Sequence, residues 1–423
     1  MNAERERIAV VGSGIAGLFA AWVLRRRHDV VLFEADDRVG GHTNTIELDR
    51  DGKRLSIDTG FIVYNERTYP LFSRLLERLD VATQPSTMSF SVHCEATGLE
   101  YNGTSLNTLF AQRRNLLRPS FWRMIRGILR FNREATALLD DPDPALTLGE
   151  FLERRRFGPE LIRNYLVPMG AAVWSTAPEQ MLGFPAHAFA RFFHNHGFLS
   201  IDDRPQWRVI QGGSQRYVER MLPALGSGVR TSAPVEAVTR GRDGVTVKVR
   251  GRDAERFDRV VLACHSDQAL RILADPSDAE RRVLGAIAYQ ENVALLHTDS
   301  RLMPRRRLAQ AAWNYHLPAD PQRGAARVTV TYDMNALQSL RSDERFLVTL
   351  NREADVDPAK VIRRIVYHHP LYTREAVAAQ VRRAEISGPR RTHYCGAYWR
   401  NGFHEDGVWS GLLVCRELGM DFA

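Results

Sequence analysis

The chain has 423 residues, of which 44% are hydrophobic and 26% charged, with a formal charge of +8. That length supplies a large core spread over two or three lobes, and the composition is that of a globular protein without low-complexity tracts or repeats. Only Lys53, Lys248 and Lys360 are lysines. The positive excess is therefore almost wholly arginine, which base composition explains plainly and which also suits an anionic partner. No basic, aromatic-rich nucleic-acid motif accompanies it, so a membrane surface is the better expectation and nucleic acid is excluded.

The first element is the apolar run Ile8 to Val11, read as a parallel strand buried on both faces. Gly12-Ser13-Gly14-Ile15-Ala16-Gly17 follows, then a helix to about Arg27 and a second buried strand, "VVLFE", ending in Glu34 with Ala35 behind it. This is the spacing of a dinucleotide-binding βαβ unit. Gly12 permits the tight turn, Gly14 admits a pyrophosphate, and Gly17 lets helix and strand approach. The helix N-terminus offers N–H groups and a positive dipole to phosphates. Glu34 is placed to bind a ribose. NAD and FAD both satisfy this unit.

The same run, Ile8 to Leu24, is not read as a signal anchor. Glu4 and Glu6 offset Arg5 and Arg7, glycines interrupt it, and Arg25 to Arg27 close it. Cys94, Cys264, Cys395 and Cys415 are scattered without C-x-x-C spacing, which argues against zinc and against a disulfide framework. The expected location is cytoplasmic, extending to the inner face of a membrane.

After Glu34 comes "ADDRVGGHTNT", with Gly40-Gly41 followed by His42, and then "IDTGFIVYNERTYP", with Gly60, Phe61 and Tyr64. From Tyr69 the pattern becomes helical, and "MSFSVHCE" alternates as a strand does. In Leu109 to Ala135, apolar Trp122, Ile125, Ile128 and Leu129 interleave with Arg123, Arg126 and Arg130, and Arg113, Arg114 and Arg118 lie just before. Residues 110–131 thus read either as a basic amphipathic helix for an anionic bilayer or as a helix packing its apolar face with its arginines solvated.

Trp174 reads as cavity lining or as plain core. "FFHNHGFL" offers His194 and His196, which would share a face on a strand. They suit cavity lining or acid–base work, and a metal reading lacks a third ligand, so no metal is expected. "WRVIQGGSQRYVERML" places Gly212-Gly213 before a helix, and Val235 opens a strand pair around an Arg-Asp-Gly turn. Near the C-terminus, "CGAYWRNGFHEDGVWSG" holds Gly396, Phe403, His404, Glu405 and Asp406. A glycine-bounded turn feeding a helix presents backbone N–H groups, so the three polar residues read as turn and capping residues rather than ligands.

These stretches, with "WSTAPEQM", "VVLACHSDQAL", "WNYH", "MNALQSL" and "HHPLYT", resemble the flavin-containing amine oxidase superfamily of amine oxidase and phytoene desaturase type. They are most similar to a bacterial branch of NAD/FAD-binding oxidoreductases linked to lipid acyl-chain modification. The resemblance implies an α/β fold. A Rossmann-like FAD-binding domain would be assembled from residues 1–70, 204–267 and 389–423, with a mixed α+β substrate domain from 71–203 and 268–388. It implies non-covalent FAD bound by Gly12 to Gly17, Glu34, Ala35, Gly40, Gly41 and His42. Gly60, Phe61, Val235, Gly396 and His404 to Asp406 complete that expected set. The family's usual arginine after the second glycine pair is His42 here. Tyr64, Trp174, Asn292 and Phe403 would line the substrate cavity, with His196 and His194 as candidate acid–base groups. Amine oxidases commonly place a lysine close to where Asn292 falls, and none of the three lysines is there. The favoured activity, as the resemblance to the lipid-linked branch implies, is dehydrogenation or desaturation of a lipid acyl substrate. An amine oxidase and a non-catalytic flavoprotein supporting a lipid-modifying partner are the alternatives.

Overall fold

The run Ile8 to Val11 is apolar throughout because both of its faces are covered. In the computed structural model, strand β1 (Arg7–Val11) pairs in parallel with β2 (Asp29–Phe33) on one side and with Arg259–Leu262 on the other. Residues 5–50, 52–140, 143, 146–200, 204–320, 322 and 327–422 are described. The outermost residues of the expected cofactor domain, and 201–203 of the other, lie outside them. Strands Val229–Arg230 and Thr392–Tyr394 complete a parallel five-stranded sheet in the order 229–230, β2, β1, 259–262, 392–394. A small antiparallel sheet, 235–240, 245–249 and 255–257, packs beside it.

A seven-stranded mixed sheet forms the second layer system. Its spine is β3 (Tyr289–His297) against β4 (Val361–Pro370), followed by 347–350, 330–333, 313–317, 90–94 and 99–102. All neighbours are antiparallel except 313–317 with 90–94. The helices that shape the site are α1 (Ile15–Leu24), α2 (Pro70–Arg78), α3 (Pro119–Asp140), α4 (Ala186–Asn195) and α5 (His404–Glu417).

Of the hydrophobic cores among the described residues, two shape the site. One unites β1, α1, α5 and the 215–225 helix, and α2 joins it through Phe72, Leu75 and Leu76. The other gathers Phe121, Phe131, Phe151, Phe189 and Phe193 under the seven-stranded sheet. Helix α5 lies unusually close to α1 because its facing positions are glycines. A Cβ on Gly407 would stand 2.5 Å from Ile15 Cγ2, and one on Gly411 2.9 Å from the Ala16 carbonyl oxygen.

Helix α3 departs from the expected pattern. Its inward face is Phe121, Met124, Phe131, Ala135 and Leu138, with Ile125 and Ile128 half-buried, whereas Trp122 and Leu129 point outward. The stripe therefore runs one residue off the reading from sequence, since Phe121 and Met124 take the core contacts. His194 and His196, which would share a face only on a strand, lie at a helix end. His194 lies exposed in α4 and His196 is its buried C-terminal cap, so the two share no face.

Candidate active site

The glycine turn after β1 has the geometry the sequence requires. Gly12 sits at φ +103°, and a Cβ there would be 2.9 Å from the backbone of Ala263 and Cys264. A Cβ on Gly17 would be 1.9 Å from the Gly12 carbonyl oxygen, whereas Gly14 faces open space. The first helical bond of α1 runs from Leu18 N to Gly14 O, so the N–H groups of Ile15, Ala16 and Gly17 precede the ladder and face that space unclaimed by it. Glu34 accepts the Ser13 N–H at 2.9 Å and also the Ser13 hydroxyl, while its other oxygen accepts Asp36 N–H at 3.0 Å. Ala35 is exposed beside it. Ala233 N–H donates to the Glu34 carbonyl at 2.8 Å, which brings the start of the Val235 strand to the ribose end of the groove.

Gly40 N–H donates to Ser13 O at 3.1 Å, and Gly41, at φ +59°, would place a Cβ 3.1 Å from Gly14 Cα. This second turn therefore closes over the first and delivers His42 to the junction of the two domains. The His42 ring stacks on Tyr367 at 4.9 Å and meets His369 edge-on at 5.2 Å, with His265 at 6.5 Å. Its Nε2 is enclosed with no partner among the described residues. Gly60 lies so near that a Cβ would touch His42 O at 2.2 Å, and Phe61 N–H donates to the same oxygen at 2.8 Å. Burial first, then neighbouring His265 and Arg38, push His42 down to about 3. Burial, then His42, push His369 likewise to about 3. Both rings are neutral near pH 7.

Asn292 sits beneath this cluster on β3. Its Nδ2 donates to Ser175 O at 3.0 Å and contacts His369 Nδ1 at 2.9 Å, while its Oδ1 accepts Asn351 Nδ2 at 2.7 Å. The amide is thereby fixed in orientation, and His369 Nδ1 is the acceptor. No lysine is near: Lys53, Lys248 and Lys360 lie in or beside peripheral strands at 53–58, 245–249 and 361–370.

Each polar residue of the C-terminal turn has a distinct task, and the turn is itself the first turn of α5. His404 contacts Thr43 Oγ1 at 3.0 Å and Tyr217 Oη at 3.2 Å, and stacks on Phe61 with ring centroids 3.5 Å apart. Glu405 accepts Leu71 and Phe72 N–H at 3.2 and 2.9 Å, capping α2. Asp406 accepts Phe403 N–H at 3.0 Å at the start of its own helix. Burial raises Asp406 to about 7, against that bond, and also raises Glu405. Gly396 N–H donates to Ser410 Oγ at 2.9 Å and so ties the preceding loop to α5.

An open cleft of about 740 Å³ lies where α2, α4 and α5 converge, with Tyr69, His196, Leu199, Phe403 and Asp406 in its wall and Arg67 and Arg400 beside them. Its aromatic side is Tyr69, His196 and Phe403, with buried rings packed behind them. Phe192 stacks with His196 at 3.8 Å and with Phe403 at 5.0 Å, and Trp207 lies 5.9 Å beyond His196. His196 Nδ1 is 2.9 Å from Phe192 O; a carbonyl only accepts, so Nδ1 carries the proton and Nε2 is the acceptor. Burial, opposed by that bond, lowers its pKa to about 4.

Of the expected cavity residues, only Phe403 lines this cleft. Trp174 stands behind Phe192 in the core, 4.6 Å from it and from Phe184. Tyr64 packs on Phe72 at 5.5 Å, and Asn292 belongs to the histidine cluster. Their enclosure is what close packing demands of large rings and of a satisfied amide. His194, exposed, stands at the rim. Sequence reading missed His265, His369 and Tyr367 around His42, and Thr43 and Tyr217 around His404. The His368-His369 doublet was the visible signal. Among the described residues no three His, Cys, Asp or Glu side chains converge as metal ligands.

The residues present fit FAD. The open space at Gly14 and the two apposed glycine turns suit a pyrophosphate. Glu34 suits a ribose, and the unpartnered His42 Nε2 and the α5 N-terminus face the domain junction where a ring system would rest.

Comparison with known proteins agrees. The family model for flavin containing amine oxidoreductase matches residues 15–331. A Mycobacterium tuberculosis protein named as a flavin-containing monoamine oxidase, AofH, is 29% identical over 283 residues, covering 64% of this chain and 59% of that one. The chain thus spans well under two thirds of that relative's length. Among solved structures, cyclohexylamine oxidase from Brevibacterium oxydans aligns with a TM-score of 0.70 at 16% identity, covering 98% of this chain and 100% of that one. A fatty acid isomerase from P. acnes aligns with a TM-score of 0.70 at 17% identity, covering 98% and 99%. At these identities the two structures speak for the fold alone.

Proposed function

Because the chain belongs to the flavin-containing amine oxidoreductase family, whose cofactor is FAD, we propose that it dehydrogenates or desaturates a lipid acyl substrate. The observation that carries this reading is the aromatic lining of the cleft by Tyr69, His196 and Phe403, with Phe192 stacked behind the last two. These rings, with Leu199 beside them, offer an aliphatic chain apolar contact. Arg400 beside it, stacked on Trp409 at 3.9 Å, suits an anionic head group. FAD, when bound, supplies the hydride-accepting chemistry.

The chain's own contribution is position, dryness and a proton acceptor. The wall aligns the substrate and excludes water, and His196 Nε2 takes the proton lost beside the oxidised carbon. His42 and His369 are neutral, and Asn292 among them is a neutral amide rather than a lysine. Anaerobic mixing of the flavin-loaded protein with membrane lipids, followed by acyl-chain analysis, tests this: flavin bleaching and new unsaturation are expected.

A second reading, amine oxidation, is favoured by the buried carboxylates of Glu405 and Asp406 in the cleft wall, which an ammonium group would complement. Bleaching by a polyamine or aromatic amine and none by lipid would reverse the order. Bleaching by neither would leave a flavoprotein that supports a partner enzyme.

A further inference from the structure

Between Tyr101 and Arg133 the chain carries seven arginines and no lysine, aspartate or glutamate. This segment folds as the short helix Leu106–Leu109, the turn Arg113–Leu117 and the opening of α3. The parts are fastened together. Trp122 Nε1 donates to Leu116 O at 2.9 Å, and the Trp122 ring lies 5.4 Å from Phe110. A distant segment completes the ledge: the turn Arg307–Ala309 packs on the short helix and adds Arg305, Arg306, Arg307 and Leu308. Glu100, buried beneath, holds it there by accepting Arg305 and Arg306 N–H at 2.9 and 3.2 Å.

The ledge exposes what a protein ordinarily covers. Leu117 is 88% exposed and Leu106 76%, and with Leu116, Trp122 and Leu308 they make five of the nine large exposed hydrophobics among the described residues. Scattered singly, such residues would need no explanation; gathered on one ledge among arginines, they mark a contact surface. Of the arginines, Arg123 pairs with Glu160 at 2.6 Å, while Arg126, Arg306 and Arg307 stand exposed.

We infer that this ledge docks the protein on an anionic lipid bilayer. Leucines and a tryptophan enter the interface while arginines meet the head groups, a division of labour that needs both chemistries side by side. A nucleic acid would use the arginines but gain little from exposed leucines. A second copy meeting this face by two-fold symmetry would set the same arginines against themselves. No helix among the described residues is long and apolar enough to cross a membrane, so the contact lies on the surface. Helix α3 runs from the ledge to Thr136 at the cleft, about 25 Å further along at 1.5 Å per residue. The inference stands apart from the acyl-substrate reading and survives if the substrate is an amine.

The test is co-sedimentation of the flavin-loaded protein with vesicles of phosphatidylcholine alone and of equimolar phosphatidylcholine and phosphatidylglycerol. Retention on the anionic vesicles only, weakening with salt, is expected. R126Q/R306Q/R307Q should bind about 100-fold more weakly, at about fivefold per arginine. L106S/L117S should lose retention at an unchanged flavin spectrum, since both side chains are exposed and their replacement leaves the core alone. The inference is overturned by equal retention on neutral vesicles, by no retention, or by variants that bind as the parent does. It is equally overturned if duplex DNA competes as strongly as the vesicles, or if the leucine changes dissociate a salt-resistant dimer.

Discussion

Glu405 on the C-terminal helix accepts the backbone N–H of Phe72 at 2.9 Å and of Leu71 at 3.2 Å, so the first turn of one helix is capped by a carboxylate from another. Helix α2 begins at Pro70 after Tyr69, which provides no side-chain cap of its own. The bond joins the floor of the cleft to the helix that shapes its edge.

Glu405→Ala should therefore destabilise the protein by about 1–3 kcal/mol, the cost of leaving buried N–H groups without an acceptor. Glu405→Gln keeps an acceptor and should cost less. Urea denaturation of the three proteins ranks them; an Ala variant as stable as the parent would remove the cap from the account.

Gly17→Ala should abolish flavin retention. Its Cβ would fall 1.9 Å from the Gly12 carbonyl oxygen, a backbone atom that the tight turn leaves nowhere to go. We expect a loss of about 3 kcal/mol or more in stability, read by denaturation, together with a collapse of the flavin absorbance of the purified protein. Gly14→Ala, which meets nothing within 4 Å, should keep its stability while weakening flavin binding.

Burial pushes the Asp406 carboxyl up to about 7 in the folded chain, from an ordinary value of 3.8. Because the folded pKa is raised, the folded state binds the extra proton across this window. The contribution of Asp406 to stability is thus present below about pH 4 and is lost as pH rises toward 7, to the extent of roughly 4 kcal/mol at most. Asp406→Asn should therefore gain on the parent steadily from pH 4 to pH 7. A constant difference between the two in denaturation across that range would contradict the shift.

His196→Phe preserves the ring stacking with Phe192 and Phe403 but removes Nε2. Anaerobic flavin reduction by substrate should slow about 100-fold or more, as loss of a proton acceptor does, with flavin content unchanged. His194→Ala, at an exposed position, should leave the rate unaltered. In acid the parent should also weaken relative to His196→Phe below about pH 6, because burial holds His196 at about 4 in the folded chain and its protonation favours the unfolded state.

Much of this site is legible without coordinates. Gly12, Gly14, Gly17 and Glu34 belong to one βαβ unit, and steric limits on a turn act over a few residues. The same is true of Gly40-Gly41 beside His42. The reading of α3 slipped by a residue because arginine stems and apolar side chains alternate so densely there that two stripes fit, and only the neighbouring helices choose between them. Whether His194 and His196 share a face was open for a related reason: two residues apart is one face of a strand but not of a helix, and the helix end leaves His194 exposed and His196 buried.

What the sequence alone determined, then, is the dinucleotide-binding unit, because its geometry is written in short spacings of glycine and acid, while FAD followed from the resemblance of the longer stretches. What only the tertiary structure decided is everything that depends on segments meeting across the chain. Glu405 finds Phe72 across 333 positions. His42 is enclosed by Tyr367 and His369 from β4 of the seven-stranded sheet, and Leu308 joins Leu106 on one ledge. Such pairings are set by how two sheets and their helices pack to bury apolar surface, and no local pattern carries that information.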